Sequence, residues 1–142
     1  MIIELRQEDA RALLRDGLVG RLGCIAEGEP YVVPVNYLFD GESVYVHSLP
    51  GRKIAALRAN PRACLQVDAI KDEYNWRSVI AYGNYEEVTD PDESERILRD
   101  LFGRLPHLTP VESKMAHVSA RPGMIVFRIR IDKLTGVGES WA

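Results

Sequence analysis

The chain has 142 residues and a formal net charge of −3, a length that suits one domain with a core able to fold without disulfides or metal. Its balance of charge offers no basic field for nucleic acid, and its two cysteines, outside any CxxC spacing, argue buried free thiols in a reducing compartment. Charged residues stud positions 1–20 and no apolar run is long enough to span a bilayer, so the expectation is a cytoplasmic protein without signal peptide or membrane contact.

The first predicted element is a helix over Glu8–Asp16, with Ala10, Leu13 and Leu14 on one face and Gly17 closing it. Strands are predicted at Val19–Ala26, Tyr31–Phe39 and Ser43–Ser48. Gly28-Glu29-Pro30 and Asp40-Gly41 separate them, and Asp-Gly is a strong hairpin signal. The glycines of Gly17–Gly23 precede a strand and lack the GxGxxG spacing, so they read as a helix stop rather than a dinucleotide loop. Pro34 stands in the middle of the second strand and removes a ladder donor, which implies an edge strand or a bulge. A bulge beside Asn36 frees backbone groups for a planar heterocycle; an edge strand needs no ligand.

Val44–Pro61 holds the densest local information. A strand runs into a tight turn at Pro50-Gly51, then into a helix over 51–59 that Asn60-Pro61 stops. The opening of that helix presents unpaired N–H groups and the positive end of the macrodipole. Ser48, Arg52 and Lys53 gathered there make a candidate phosphate seat, against the alternative of two solvated surface cations. His47 ends the strand just before it, as a ligand contact or a partly buried structural histidine. Gly51-Arg52-Lys53 is not a P-loop, because the upstream glycine is absent and Ile54 stands where Ser or Thr is required. His47, His107, His117 and the cysteines show no metal-ligand spacing, and no metal is expected.

Two further strands are predicted at Ala63–Ile70 and Trp76–Val88, with Trp76, Ser78, Ile80 and Tyr82 sharing a face of the second. Asp90-Pro91-Asp92-Glu93 opens a helix with an N-cap, a proline at N1 and a carboxylate at N3, and Gly103 ends it. Its apolar face is Ile97, Leu98, Leu101 and Phe102. A turn-rich stretch with Pro106 and Pro110 follows, with one helical turn near Val111–His117. The last predicted strand is Met124–Asp132, where Ile125, Phe127, Ile129 and Ile131 alternate with polar residues. Gly136–Ala142 reads as a tail, able to reach a neighbouring subunit through Trp141 or simply to fray. Six strands joined mostly by hairpins, with helices set apart, argue a mainly β fold: an antiparallel barrel with peripheral helices.

Taken in order, Gly20-Arg21-Leu22-Gly23, Tyr31–Tyr37, Val44–Ser48, Gly51-Arg52-Lys53, Asn60–Cys64, Trp76–Val79 and Tyr82-Gly83 resemble the pyridoxamine 5′-phosphate oxidase-like, FMN-binding split-barrel family. The resemblance spans roughly residues 5 to 135 and is nearest to the branch grouped with nitroimidazole-resistance proteins. It implies a six-stranded split barrel that dimerises, with FMN at the subunit interface. Val35, Asn36 and Tyr37 would offer backbone hydrogen bonds to the isoalloxazine edge. His47 and Ser48 would lie near the ring and ribityl chain, and Arg52 and Lys53 would bind the phosphate. Trp76, Ser78 and Val79 would cover the flavin from the other subunit, and Gln66 is a weaker polar contact.

In that branch a histidine at the position of His47 lies near the reactive face, which makes His47 the candidate substrate-facing group. The implied activity is FMN-dependent reduction of a small nitro-aromatic or quinone-like acceptor with an external electron donor. The alternatives are a flavin-storage protein, and haem-binding or deazaflavin-using split barrels. The chain lacks the C-terminal extension with which larger pyridoxamine-phosphate oxidases bind substrate, so pyridoxamine phosphate is not assigned.

Overall fold

The computed structural model describes residues 1–104 and 123–139. The predicted Pro106–Pro110 turns, the helical turn at Val111–His117, His107 and Trp141 lie outside them. Among the described residues the elements are β1 (Ile2–Glu4), α1 (Gln7–Asp16), β2 (Val19–Ala26), β3 (Glu29–Asn36), β4 (Leu38–Phe39) and β5 (Ser43–Ser48). There follow α2 (Arg52–Ala59), β6 (Arg62–Asp72), β7 (Asn75–Glu87), α3 (Pro91–Gly103) and β8 (Ile125–Glu139). No helix among these residues is long and apolar enough to cross a membrane.

All eight strands join one antiparallel sheet in the order β3-β2-β6-β7-β8-β5-β4, with β1 added along β8. The ends of that path, β3 and β4, are consecutive in sequence and meet at Tyr37, so the sheet curls back on itself around a core. α1 contributes Ala10 and Leu14 to this core and α2 contributes Ile54 and Leu57, packed among Leu22, Leu65, Val79 and Phe127. A second, smaller cluster forms where α3 lays Ile97, Leu98, Leu101 and Phe102 against Val88 and Val126.

Local chemistry explains most of these elements. The β2–β3 hairpin turns through Glu27 and Gly28, both at positive φ (53° and 79°), as a two-residue hairpin loop with the native twist requires. Asp40 Oδ1 accepts from the backbone N–H groups of Glu42 and Ser43, both at 2.8 Å, which fixes the turn before β5. Asp90 caps α3 by accepting from the Glu93 N–H at 3.1 Å, with Pro91 at its first turn. Pro34 lies on an edge strand, since β3 pairs only with β2, and its missing N–H therefore leaves no gap in the ladder.

The strand count is eight, not six, and three causes account for it. The predicted strand Tyr31–Phe39 breaks at Tyr37, whose N–H donates to Leu18 O at 3.2 Å, dividing it into β3 and β4. Register with β2 runs unbroken through Asn36, so the bulge expected beside that residue is absent. Ile2–Glu4 forms β1 because β8 continues to Glu139 and offers it an edge. β8 passes the expected end at Asp132 through an irregularity: Tyr82 pairs with Lys133 while Gly83 pairs with Ile131, leaving Asp132 extra. The alternation resets there, which is why 133–139 did not read as strand. Gly83 is needed at this point, since a Cβ would lie 2.1 Å from Arg130 O. Residues 136–139, expected in a tail, are thus paired to β7 and β1.

Candidate functional site

The turn after β5 and the start of α2 place a row of candidate side chains on one rim of the sheet. His47 and Ser48 end β5, opposite Val126 and Ile125 of β8. Gly51 is the N-cap of α2 and provides no side-chain cap, and the first turn contains no acidic residue. The first N–H groups of α2 are therefore not claimed by a side chain, and its dipole is not offset by a carboxylate.

Arg52 is exposed, with its guanidinium 5.2 Å from the centroid of the Tyr31 ring. Lys53 is half-buried, and desolvation holds its ammonium below the ordinary lysine value, slightly offset by Cys24. Among the described residues neither cation pairs with a carboxylate. His47 is half-buried with its ring 4.9 Å from that of Phe102, tilted 52°. Burial lowers its pKa below the ordinary histidine value, and the Lys53 ammonium acts in the same direction. Ser48 Oγ donates to Leu49 O at 2.8 Å.

The remaining predicted residues fall into three situations. Val35 is buried opposite Gly20 and Asn36 half-buried opposite Val19, at the far end of β3 from Tyr31. Tyr37 is a core residue. Its ring is 1% exposed and its hydroxyl donates to Leu14 O at 2.5 Å. Its N–H is held by Leu18 O and its own carbonyl accepts from Arg104 Nη1 at 2.7 Å, so both backbone groups are engaged within the chain. Burial pushes the Tyr37 phenol well up, despite Arg104.

Gln66, Ser78 and Trp76 sit on the β6–β7 hairpin and are internally satisfied. Gln66 Nε2 donates to Asp68 Oδ2 at 2.9 Å and to Ser78 Oγ at 3.0 Å, and Trp76 Nε1 donates to Glu139 Oε2 at 3.2 Å. Val79 differs from the expectation. Its side chain is wholly buried in the barrel core and presents nothing to a ring outside.

Along β8 the rim and the hairpin lie on well-separated rungs, whereas across β2 they are nearer, with Gln66 opposite Arg21 and Cys64 opposite Gly23. His47 pairs with Val126 of β8, whereas Ser78 pairs with Val137. Eleven residues of β8 separate those rungs, about 35 Å measured along the strand. Tyr31, Phe102 and Arg104 belong beside the predicted residues but were not singled out by sequence. Tyr31 lay within a quoted motif, and nothing in that motif signals a guanidinium above its ring.

Among the described residues there are two notable cavities, of which the first adjoins Tyr31 and the second lies at the other end of β5. One of about 420 Å³ has apolar walls that include Cys24, Ile25, Tyr31, Val32, Cys64 and Tyr82. Both thiols are free; Cys24 is buried and Cys64, contrary to expectation, only half-buried, and burial raises both above the ordinary thiol value. The other, of about 380 Å³, lies between α1, the turn at Gly41 and β8. Its Arg11 already donates to Gly41 O at 2.5 Å and lies 5.4 Å from the Phe39 centroid.

This arrangement of a curled antiparallel sheet with a cationic helix start matches a known family. The pyridoxamine 5′-phosphate oxidase family model matches residues 6–137. The chain belongs to that family. An uncharacterised protein of Rhizobium meliloti (strain 1021) is 31% identical over 141 residues, covering 93% of this chain and 91% of its own. A crystal structure of an FAD-binding protein from Mesorhizobium loti is 34% identical with a TM-score of 0.77, over 99% of this chain and 98% of that one. A structure named for 5-nitroimidazole antibiotic resistance, from Bacteroides thetaiotaomicron, shares the fold at 20% identity and a TM-score of 0.76, over 97% of this chain and 87% of that one.

Proposed function

We propose that this member of the family binds FMN between two copies of the chain and acts as an oxidoreductase on a small nitro-aromatic or quinone-like acceptor. The observation that carries the cofactor reading is Lys53. A half-buried ammonium lowered by desolvation, with no carboxylate partner among the described residues, is a cost that a dianion would offset. Arg52 and the unclaimed N–H groups of α2 stand beside it. The residues present therefore fit the phosphate of a flavin mononucleotide.

In this reading Arg52 and Lys53 hold the phosphate and Ser48 faces the ribityl chain. β3 runs the length of the ligand, with Tyr31 at the phosphate end and Val35 and Asn36 beside the ring. His47, neutral near pH 7 because it is buried beside Lys53, exchanges a proton with substrate. The flavin supplies the electron-transfer chemistry; the chain supplies orientation and access. In this reading Gln66, Trp76 and Ser78 reach the same ligand from a second copy of the chain. Exposed Val19, Ile25, Val32 and Ile70 on β2, β3 and β6 supply apolar surface for that pairing.

The Mesorhizobium relative supports FAD as a second reading, since an adenylate extends from the same phosphate end. An absorption spectrum of the purified protein with mass identification of the released cofactor decides. Flavin bands and an FMN mass support the proposal, an FAD mass transfers it to the dinucleotide, and a Soret band without flavin bands refutes both. Flavin reduction by NADH or NADPH, followed by reoxidation with a nitroimidazole or quinone, separates an enzyme from a flavin store. Rates no faster than free FMN refute the enzyme.

A further inference from the structure

His47 is the reactive candidate of the rim, yet the element packed on it is neither α2 nor the edge strand. α3 lies against β5 and β8, and its residue Phe102, 5% exposed, sets its ring 4.9 Å from the imidazole. Such tilted aromatic pairs are geometrically selective contacts, so the imidazole plane is constrained and not merely covered.

The last turn of α3 is itself tied down. Arg104 donates to three backbone carbonyls, Tyr37 O at 2.7 Å, Gly17 O at 2.8 Å and Arg15 O at 3.0 Å. Those carbonyls belong to the end of α1, the link into β2, and the β3–β4 junction. One guanidinium thus fixes the end of α3 relative to the edge strand proposed to border the flavin. Its donors are charge-assisted and forked, a geometry that lysine does not reproduce.

We propose that Phe102 is a positioning residue for His47, holding the imidazole in place and shielding it from water, with Arg104 anchoring the turn that presents Phe102. This deepens the oxidoreductase reading and rests on it for its functional meaning, while the placement of His47 stands on the geometry alone. The described residues around the imidazole come from four elements. β8 offers Val126 as its register partner, α3 offers the Phe102 ring, and α2 offers Lys53, the charge that bears on His47. On β5 itself Tyr45 lies two residues away and donates to Asp40 Oδ2 at 2.9 Å. Phe102 is the aromatic neighbour whose substitution removes apolar cover from the imidazole without changing a charge.

The test follows the His47 C2 proton by NMR against pH in the full chain as purified, with His47→Gln assigning the resonance. Phe102→Ala is expected to raise the His47 midpoint toward the ordinary value of about 6.5. Phe102→Leu, which keeps apolar cover, is expected to raise it less. Arg104→Gln is expected to raise it by loosening the turn, with Arg104→Lys no better than partial rescue. An unmoved midpoint in a cooperatively melting Phe102→Ala protein, or in Arg104→Gln where Phe102→Ala does not fold, overturns the proposal. So does a shift in Phe102→Ala accompanied by loss of the cooperative melt, which indicates general loosening. If the native chain binds no FMN, the flavin reading fails while this titration still decides the placement of His47. If FMN binds and the enzyme turns over, the acid limb of its pH profile moves upward in Phe102→Ala in step with the midpoint.

Discussion

The α2 rim and the β6–β7 hairpin both present polar side chains, and they differ in how those side chains are satisfied. On the hairpin, Gln66 serves Asp68 and Ser78, Trp76 serves Glu139, and Arg21 reaches Asp68 at 3.4 Å. On the rim, Arg52 rests over an aromatic ring and Lys53 sits half-buried beside a thiol and an imidazole, with no carboxylate for either among the described residues. A folded chain of net charge −3 has acidic groups to spare. Among the described residues none of them stands beside Arg52 or Lys53, which is why the proposed anion is assigned to this rim, whereas the hairpin's polar side chains pair with one another.

The largest expected effect falls on the rim. Arg52→Ala with Lys53→Ala should weaken FMN by about 1.5–3 kcal/mol for each charged hydrogen bond lost, while leaving the melting temperature unchanged or slightly higher. Fluorescence titration and thermal melts check both. A large loss of stability instead would mean that these cations serve the fold, and the contrast with the hairpin would collapse.

Next in size is the contribution of the hairpin across the interface. Ser78→Arg should leave the isolated barrel folded yet impair both dimerisation and flavin retention, read together by light scattering and visible absorbance. A dimer that retains flavin in this variant would place the hairpin outside the site.

A smaller effect concerns pH. The folded pKa of His47 lies below its unfolded value near 6.5, so the unfolded chain binds more protons as pH falls. The stability contributed by the neutral imidazole is present above about pH 6.5 and is lost as pH falls through the folded value. His47→Gln should flatten that limb of the stability curve in urea titrations between pH 7 and 5; an unchanged slope would assign the acid lability elsewhere. The smallest effect is expected at Arg21→Ala, where a partly exposed pair at 3.4 Å is worth about 0–1 kcal/mol, measurable by the same titrations.

Local signals made much of this molecule readable from sequence. Asp90-Pro91 placed the start of α3, Asp40-Gly41 placed the turn into β5, and Pro34 marked an edge strand or a bulge, of which the structure has the edge. Each is a backbone requirement met within a few residues. The unread features depend on distant partners. β1 exists because β8 extends, and β8 extends past Asp132 because an extra residue resets its alternation against β7. The rim divides in the same way. Arg52 and Lys53 were legible from the helix start, but the Phe102 ring on His47 joins residues 55 positions apart, and the helical apolar pattern that buries Phe102 is silent about what it meets. The resemblance assigns Tyr37 a backbone contact and Val79 a covering role, and neither assignment carries the long-range packing that buries both side chains in the core.

The central claim is that the α2 rim is a phosphate seat for a flavin, and comparing FMN with riboflavin tests it most directly. Both ligands share the ring and ribityl chain and differ by the phosphate. Fluorescence-quenching titrations of the cofactor-stripped protein should show FMN binding far more tightly than riboflavin, with the gap largely erased in Arg52→Ala/Lys53→Ala. Equal affinity for the two flavins in the native chain, or a gap that survives the double substitution, would contradict the account.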